Sequence, residues 1–346
     1  MIHLLVHLSN ALKQLTRPLC GLLLICGLPV GAASAAEEVV VYSARGEPLI
    51  RPLFDAYTKE TGVAIRFVTD KEGALMARLQ AEGERTPADL LLTSDAGNLW
   101  QAAESGLLAP ADSARLRQNV PAHLRDAKDR WFGLSRRVRT IVYHTGRVKP
   151  ADLSTYEALG DPRWKGRLCL RTSKKVYNQS LVAMMIAALG APKTEQVVRS
   201  WIANLATSVF SDDTQVMEAI AAGQCDVGIV NSYYFGRLRD KKPALPLALF
   251  WANQGDRGVH VNISGAGLVK HAKHPQAAIR LLEWLSGDFA QERFAALDFE
   301  YPIRPEVPIP PAVAAWGAFK PESLDVARAG ELQTEAIKLM DRAGYK

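Results

Sequence analysis

The chain predicts an α/β protein built as two lobes, and three observations carry that reading. Short β-branched runs alternate with amphipathic helical stretches from Val39 onward, which argues for parallel strands covered on both faces. At 346 residues the chain exceeds what one hydrophobic core usually organises. The strand and helix pattern also restarts after a change of character around Trp131–Tyr143.

Val39–Tyr42 is the first strand. Pro48 opens a helix whose Leu49, Leu53, Phe54 and Tyr57 share a face, and Gly62 ends it. Val63–Val68 is the next strand, Leu75, Met76 and Leu79 mark a second helix, Leu90–Thr93 is a third strand, and a helix over Leu99–Glu104 closes at Gly106. Thr140–Tyr143 reads as a strand crossing between lobes, and Ser154-Thr155-Tyr156-Glu157 has capping-box spacing, predicting a helix start. The second lobe follows with strand Leu168–Arg171, helices Gln179–Leu189 and Thr214–Ala222, the latter capped by Asp212 or Asp213, and strand Asp226–Val230. Val259–Val269 returns to the first lobe, and Ile279–Leu285 begins a helical C-terminal region. The expected division is a leader over 1–35, an N-terminal lobe of 36–136 with 262–310, and a C-terminal lobe of 137–261 with 311–346. Two crossings with a cleft between them describe a hinge-closing binding protein.

The leader reading rests on Lys13 and Arg17 ahead of an apolar run from Leu19 to Val30, then Ala33-Ser34-Ala35, with cleavage expected after Ala35. This predicts an exported, periplasmic, soluble protein. Removing Lys13 and Arg17 lowers the formal charge from +6 to +4, with no long Lys/Arg block, so nucleic acid is not an expected partner. The densest basic cluster, Arg136-Arg137-Val138-Arg139, reads as part of a small anion site. Cys20 and Cys26 leave with the leader. Cys169 and Cys225 then remain in an oxidising compartment, at the starts of two runs expected to be neighbouring strands, and a disulfide between them is expected.

Ligands in open α/β sheets gather beyond the carboxyl ends of the strands. Two such places carry tyrosines: Tyr177 in Tyr177-Asn178-Gln179-Ser180, and Tyr233 and Tyr234 in Asn231-Ser232-Tyr233-Tyr234. A tyrosine at a half-buried helix start is ordinarily a packing residue. Adjacent helical residues point about 100° apart, however, so Tyr233 and Tyr234 cannot both enter one core. Phenolate is a hard anionic oxygen donor, suited to Fe(III). Ionising each phenol at pH 7 costs about 4 kcal/mol, which the cation must offset. Arg237, one turn beyond Tyr233, could add a positive neighbour. His123, His144, His260, His271 and His274 lack the helical spacing of a zinc site, and no Gly-x-Ser-x-Gly elbow or phosphate-binding glycine loop occurs, so the residues point to a binding protein and not an enzyme.

The segments Tyr42-Ser43-Ala44-Arg45, Pro87-Ala88-Asp89-Leu90, Asp95-Ala96-Gly97, Tyr177-Asn178-Gln179-Ser180, Asn231-Ser232-Tyr233-Tyr234 and Val261-Asn262-Ile263-Ser264-Gly265 resemble, in order, the ferric-iron binding proteins of bacterial ABC transporters. That resemblance implies the type II periplasmic binding protein fold and Fe(III) held by Tyr177, Tyr233 and Tyr234. It also implies delivery to an inner-membrane permease by a monomeric carrier. The family's Ser-x-Arg-x-Arg segment is matched by Ser135, Arg137 and Arg139, which implies Arg137 beside an accompanying anion such as carbonate. Many relatives carry a His or Tyr where this chain has Gly46-Glu47. Either the first lobe supplies no ligand and water or an anion completes the shell, or Glu47 reaches the metal. Capture of a small organic or phosphorus-containing anion is the alternative function.

Overall fold

A computed structural model describes residues 37–346, so the leader reading lies outside the described residues. Nine strands are formed: β1 Glu38–Ser43, β2 Ala64–Thr69, β3 Leu90–Thr93, β4 Leu108–Ala109, β5 Trp131–His144, β6 Leu168–Cys169, β7 Val227–Asn231, β8 Leu247–Phe250 and β9 Val261–Val269. The first helices are α1 Glu47–Thr61, α2 Glu72–Glu82, α3 Ala96–Glu104 and α4 Ala114–Asn119. Then come α5 Val176–Leu189, α6 Ala191–Ala203, α7 Asp213–Ala221 and α8 Ser232–Lys241. The C-terminal region holds α9 Pro275–Leu285, α10 Asp288–Asp298, α11 Pro311–Ala314, α12 Arg328–Glu331 and α13 Gln333–Arg342. Among the described residues, no helix is long and apolar enough to cross a membrane.

The strand order is β2-β1-β3-β9-β5-β7-β6, with β4 on β9 and β8 on β5. β5 makes the two-lobed arrangement possible. Its 14 residues reach roughly 45 Å when extended, enough to serve two sheets. Trp131–Val138 pairs antiparallel with β9, and Arg139–Tyr143 pairs antiparallel with β7. Around the first half packs a core that includes Val39, Leu53, Leu91, Trp131 and Leu282; around the second half packs one that includes Trp164, Met185, Trp201 and Ile229. A smaller cluster built on Val216, Met217 and Phe235 completes the second lobe. The C-terminal chain visits both lobes, since Tyr301 belongs to the second core whereas Ile303 and Val326 belong to the first.

Local signals explain most boundaries. α1 ends where Gly62 takes φ 77°, a left-handed value that glycine adopts without a Cβ penalty. Asp95 caps α3 through Gly97 N–H at 2.8 Å, and Asp212, not Asp213, caps α7 through Gln215 N–H at 2.9 Å. The capping box at Ser154–Glu157 does not start an α-helix. Thr155 Oγ1 does accept from Ala158 N–H at 3.0 Å, but only a 3-10 turn over Glu157–Gly160 follows. Pro162 holds Asp161 in an extended conformation and ends the turn. Cys169 and Cys225 are disulfide-bonded, at the entry to the parallel β6–β7 pair.

Candidate metal centre

The strands β6 and β7 lead into α5 and α8, and that connection places the tyrosines. Tyr177 is the second residue of α5; Tyr233 and Tyr234 are the second and third of α8. Both helix starts face the cleft beyond the carboxyl ends of the strands, where peptide dipoles favour negative charge. All three tyrosines line one cavity of about 120 Å³ with Arg137 and Arg237, opposite Ala44, Arg45, Gly46, Leu49, Ser94 and Asp298. The Tyr233 and Tyr234 ring centroids lie 4.5 Å apart. Gly236 lets the other wall approach α8, because a Cβ there would meet the Phe299 ring at 2.5 Å.

The phenols sit in a positive setting. Arg137 lies over the Tyr177 and Tyr233 rings at 5.1 and 4.4 Å, and Arg237 over the Tyr233 and Tyr234 rings at 4.9 and 5.6 Å. Arg171, which the sequence reading did not single out, lies over Tyr177 and Tyr234 at 5.6 and 5.8 Å. Tyr233 Oη accepts from Asn231 Nδ2 at 3.1 Å, and Tyr177 Oη from Arg137 Nη2 at 3.4 Å. Both bonds favour the ionised oxygen. Burial nevertheless pushes the Tyr233 hydroxyl well above its ordinary range; Arg137 opposes this, and the neighbouring Tyr177 and Tyr234 oxygens add to it. Without a cation, Tyr233 is therefore a neutral phenol at physiological pH. Burial would lower the Arg137 guanidinium, but the Tyr233 and Tyr177 oxygens and the Glu300 and Asp298 carboxylates hold its proton more tightly, a net rise.

The opposite wall holds a network of paired charges, in which Arg45 Nε and Glu300 Oε1 are left without a hydrogen-bond partner. Arg45 pairs with Glu300 at 2.8 Å and Asp298 at 3.1 Å, Ser135 Oγ donates to Glu300, and Arg237 pairs with Asp298 across the cleft. Burial would raise Glu300, yet Arg45 and Arg137 hold it down to about 2; Asp298, buried beside that charge, is pushed up to about 6. These carboxylates escaped the sequence reading because Arg45 lies 253 and 255 residues from them and Leu297-Asp298-Phe299-Glu300 carries no motif. Asp95, the cap of α3, is buried and accepts from Ser180 Oγ at 2.8 Å and Asn262 Nδ2 at 2.7 Å. Burial, the largest cause, pushes it up to about 6.

Two expectations are redirected. Glu47 is not brought to the cavity: as the first residue of α1 it is about half exposed and pairs with Arg51, one turn on, at 2.6 Å. The basic cluster of β5 is divided, because alternation along the strand sends Arg136 to the face opposite Arg137 and Arg139. Arg137 faces the cleft, bonding Ser94 O at 3.0 Å; Arg139 is buried against Asp213 at 3.0 Å. Arg136 turns to the other side and donates to Pro302 O at 2.7 Å. Among the described residues, no group of three His, Cys, Asp or Glu is placed to hold a metal, which leaves the three phenols as the concentrated donor set.

Comparison with known proteins agrees with this architecture. The sequence profile of bacterial extracellular solute-binding proteins matches residues 52–321. Iron uptake protein A2 of Synechocystis is 40% identical over 94% of this chain and 94% of its own, and iron uptake protein A1 of the same organism is 39% identical over 90% and 88%. The structure of the Trichodesmium protein IdiA (FutA), in complex with iron and citrate, superposes with a TM-score of 0.86 at 40% identity, over 89% of this chain and 100% of that one. The chain therefore belongs to the bacterial extracellular solute-binding proteins, with the type II two-lobe fold, in the branch that contains these iron uptake proteins.

Proposed function

We propose that this protein is the periplasmic solute-binding component of an ABC importer that captures ferric iron and delivers it, as a monomer, to an inner-membrane permease. The observation that carries the reading is the meeting of Tyr177, Tyr233 and Tyr234 at one cavity at the mouth of β6 and β7. In this reading the three phenols lose their protons to Fe(III), whose charge three phenolates balance. Arg137 and Arg237 steady the resulting anions, and a small anion such as carbonate meets Arg137 and completes the shell. Closure of the lobes excludes water through Ser180–Asp95 and Arg237–Asp298, both of which cross the cleft. Return of protons to the phenols, or reduction of the iron, releases the cargo.

Capture of an organic or phosphorus-containing anion alone has less support, because Arg237 is already paired with Asp298 and Arg137 with Ser94 O and Glu300. The test is metal analysis of protein purified without chelators, read with visible absorption. A phenolate-to-iron band that a chelator bleaches is expected; a colourless protein that takes up anions but no iron overturns the proposal.

A further inference from the structure

Arg136 is the member of the β5 basic cluster that the cleft leaves unused. Its backbone exchanges hydrogen bonds with Tyr301 at 2.7 and 2.9 Å, so the two residues sit side by side on the face of the hinge away from the tyrosines. Both line a second cavity, of about 250 Å³, walled by Ile309, Val313 and Phe319. The Phe319 ring meets Tyr301 edge to face at 5.0 Å, and Ile309 is 41% exposed at the mouth.

Two polar groups stand in this apolar setting, and one of them, the Tyr301 hydroxyl, is a buried orphan. Tyr301 is 2% exposed and its hydroxyl has no hydrogen-bond partner among the described residues. Such a buried orphan costs about 1–3 kcal/mol unless something supplies a partner. Arg136 uses only Nε, on Pro302 O, and no carboxylate among the described residues pairs with it, whereas Arg45, Arg137 and Arg237, which face the cleft, each have one. Burial lowers the Arg136 proton affinity, with Tyr301 opposing, and raises that of the Tyr301 hydroxyl, with Arg136 opposing. Tyr301 is thus an uncharged phenol beside the Arg136 guanidinium and leaves that charge unpaired.

We propose that this cavity is a second binding site, for a small monocarboxylate with a flat or short aliphatic body, held by the free guanidinium nitrogens of Arg136 and the hydroxyl of Tyr301. The forked guanidinium matches a carboxylate, and the phenol donates a further hydrogen bond. A dry cavity of about 150 Å³ accommodates a benzene ring, so this one has room for a ring and its carboxylate. Ile309, Val313 and Phe319 supply the apolar contact. The site is independent of iron capture, since neither Arg136 nor Tyr301 lines the tyrosine cavity.

The probe is benzoate, titrated into the iron-free protein while the methyl resonances of Ile309 and Val313 are followed by NMR, with benzyl alcohol as the neutral isostere. Saturable shifts at Ile309 and Val313 are expected, with benzyl alcohol and the Arg136→Gln variant each at least about tenfold weaker. Tyr301→Phe removes no existing hydrogen bond, so it should unfold at the same or a higher temperature while binding benzoate about threefold to tenfold more weakly. Absence of saturable shifts at these methyls up to about 20 mM benzoate overturns the site. So does equal response to benzyl alcohol, or perturbation confined to cleft residues such as Leu49.

Discussion

The two walls of the cleft are both rich in ionisable groups, yet they are built on opposite plans. The first lobe presents Arg45, Asp298 and Glu300, already joined to one another, to Ser135 and to Ser264. The second presents three phenols ringed by Arg137, Arg171 and Arg237, whose carboxylate partners are Glu300, Asp213 and Asp298, while the hydroxyls face the cavity. A wall whose charges are paired with one another can close on a ligand without binding it. A wall of phenols can take up a trivalent ion once the ion displaces their protons, and the nearby arginines then steady the phenolates. In the proposed function, capture falls to the second lobe and closure to the first.

Removing the phenols tests that division most severely. Tyr233→Phe combined with Tyr234→Phe is expected to abolish the visible iron band and weaken iron binding by more than about a hundredfold, while thermal unfolding of the iron-free protein stays close to wild type. An intact band would move the metal elsewhere. Next in size is the covalent tie of the second lobe. The disulfide joins residues 56 apart in sequence, and replacing both Cys169 and Cys225 with Ser should cost about 4 kcal/mol, measured by urea unfolding. Because β6 and β7 deliver the helix starts that bear Tyr177, Tyr233 and Tyr234, iron affinity should fall with it. Unchanged affinity would show that the strands keep their register without the bond.

Acid sharpens the comparison on a smaller scale. The raised Tyr233 hydroxyl is protonated in the iron-free protein, so iron must expel that proton. Affinity should fall about tenfold for each proton released per unit drop in pH, and titration calorimetry in buffers of different ionisation enthalpy counts those protons. A pH-independent affinity would rule out phenol ionisation as the step. The smallest effect is expected on the first-lobe side: Glu47→Gln should change iron affinity by no more than about 0.5 kcal/mol, because it removes only an exposed pair with Arg51. A large loss would give the first lobe a ligand after all.

Much of this arrangement is legible in the chain itself. The alternation of short β-branched runs with helical stretches anticipates the parallel pairs β1–β2, β1–β3 and β6–β7, though not the antiparallel pairs that β5 and β9 make. Tyrosines placed just after two of those runs emerge at the carboxyl ends of the strands, where clefts form. Two cysteines at the starts of neighbouring parallel strands have a short route to each other. These inferences succeed because strand periodicity, helix starts and sheet order are local or nearest-neighbour properties. Tertiary structure alone decided the partners of the charges. Arg45 finds carboxylates more than 250 residues away, Arg137 meets Glu300 and Arg139 meets Asp213. Electrostatic pairing is set by which surfaces meet when two lobes fold against one shared strand, and no spacing along the sequence encodes that meeting.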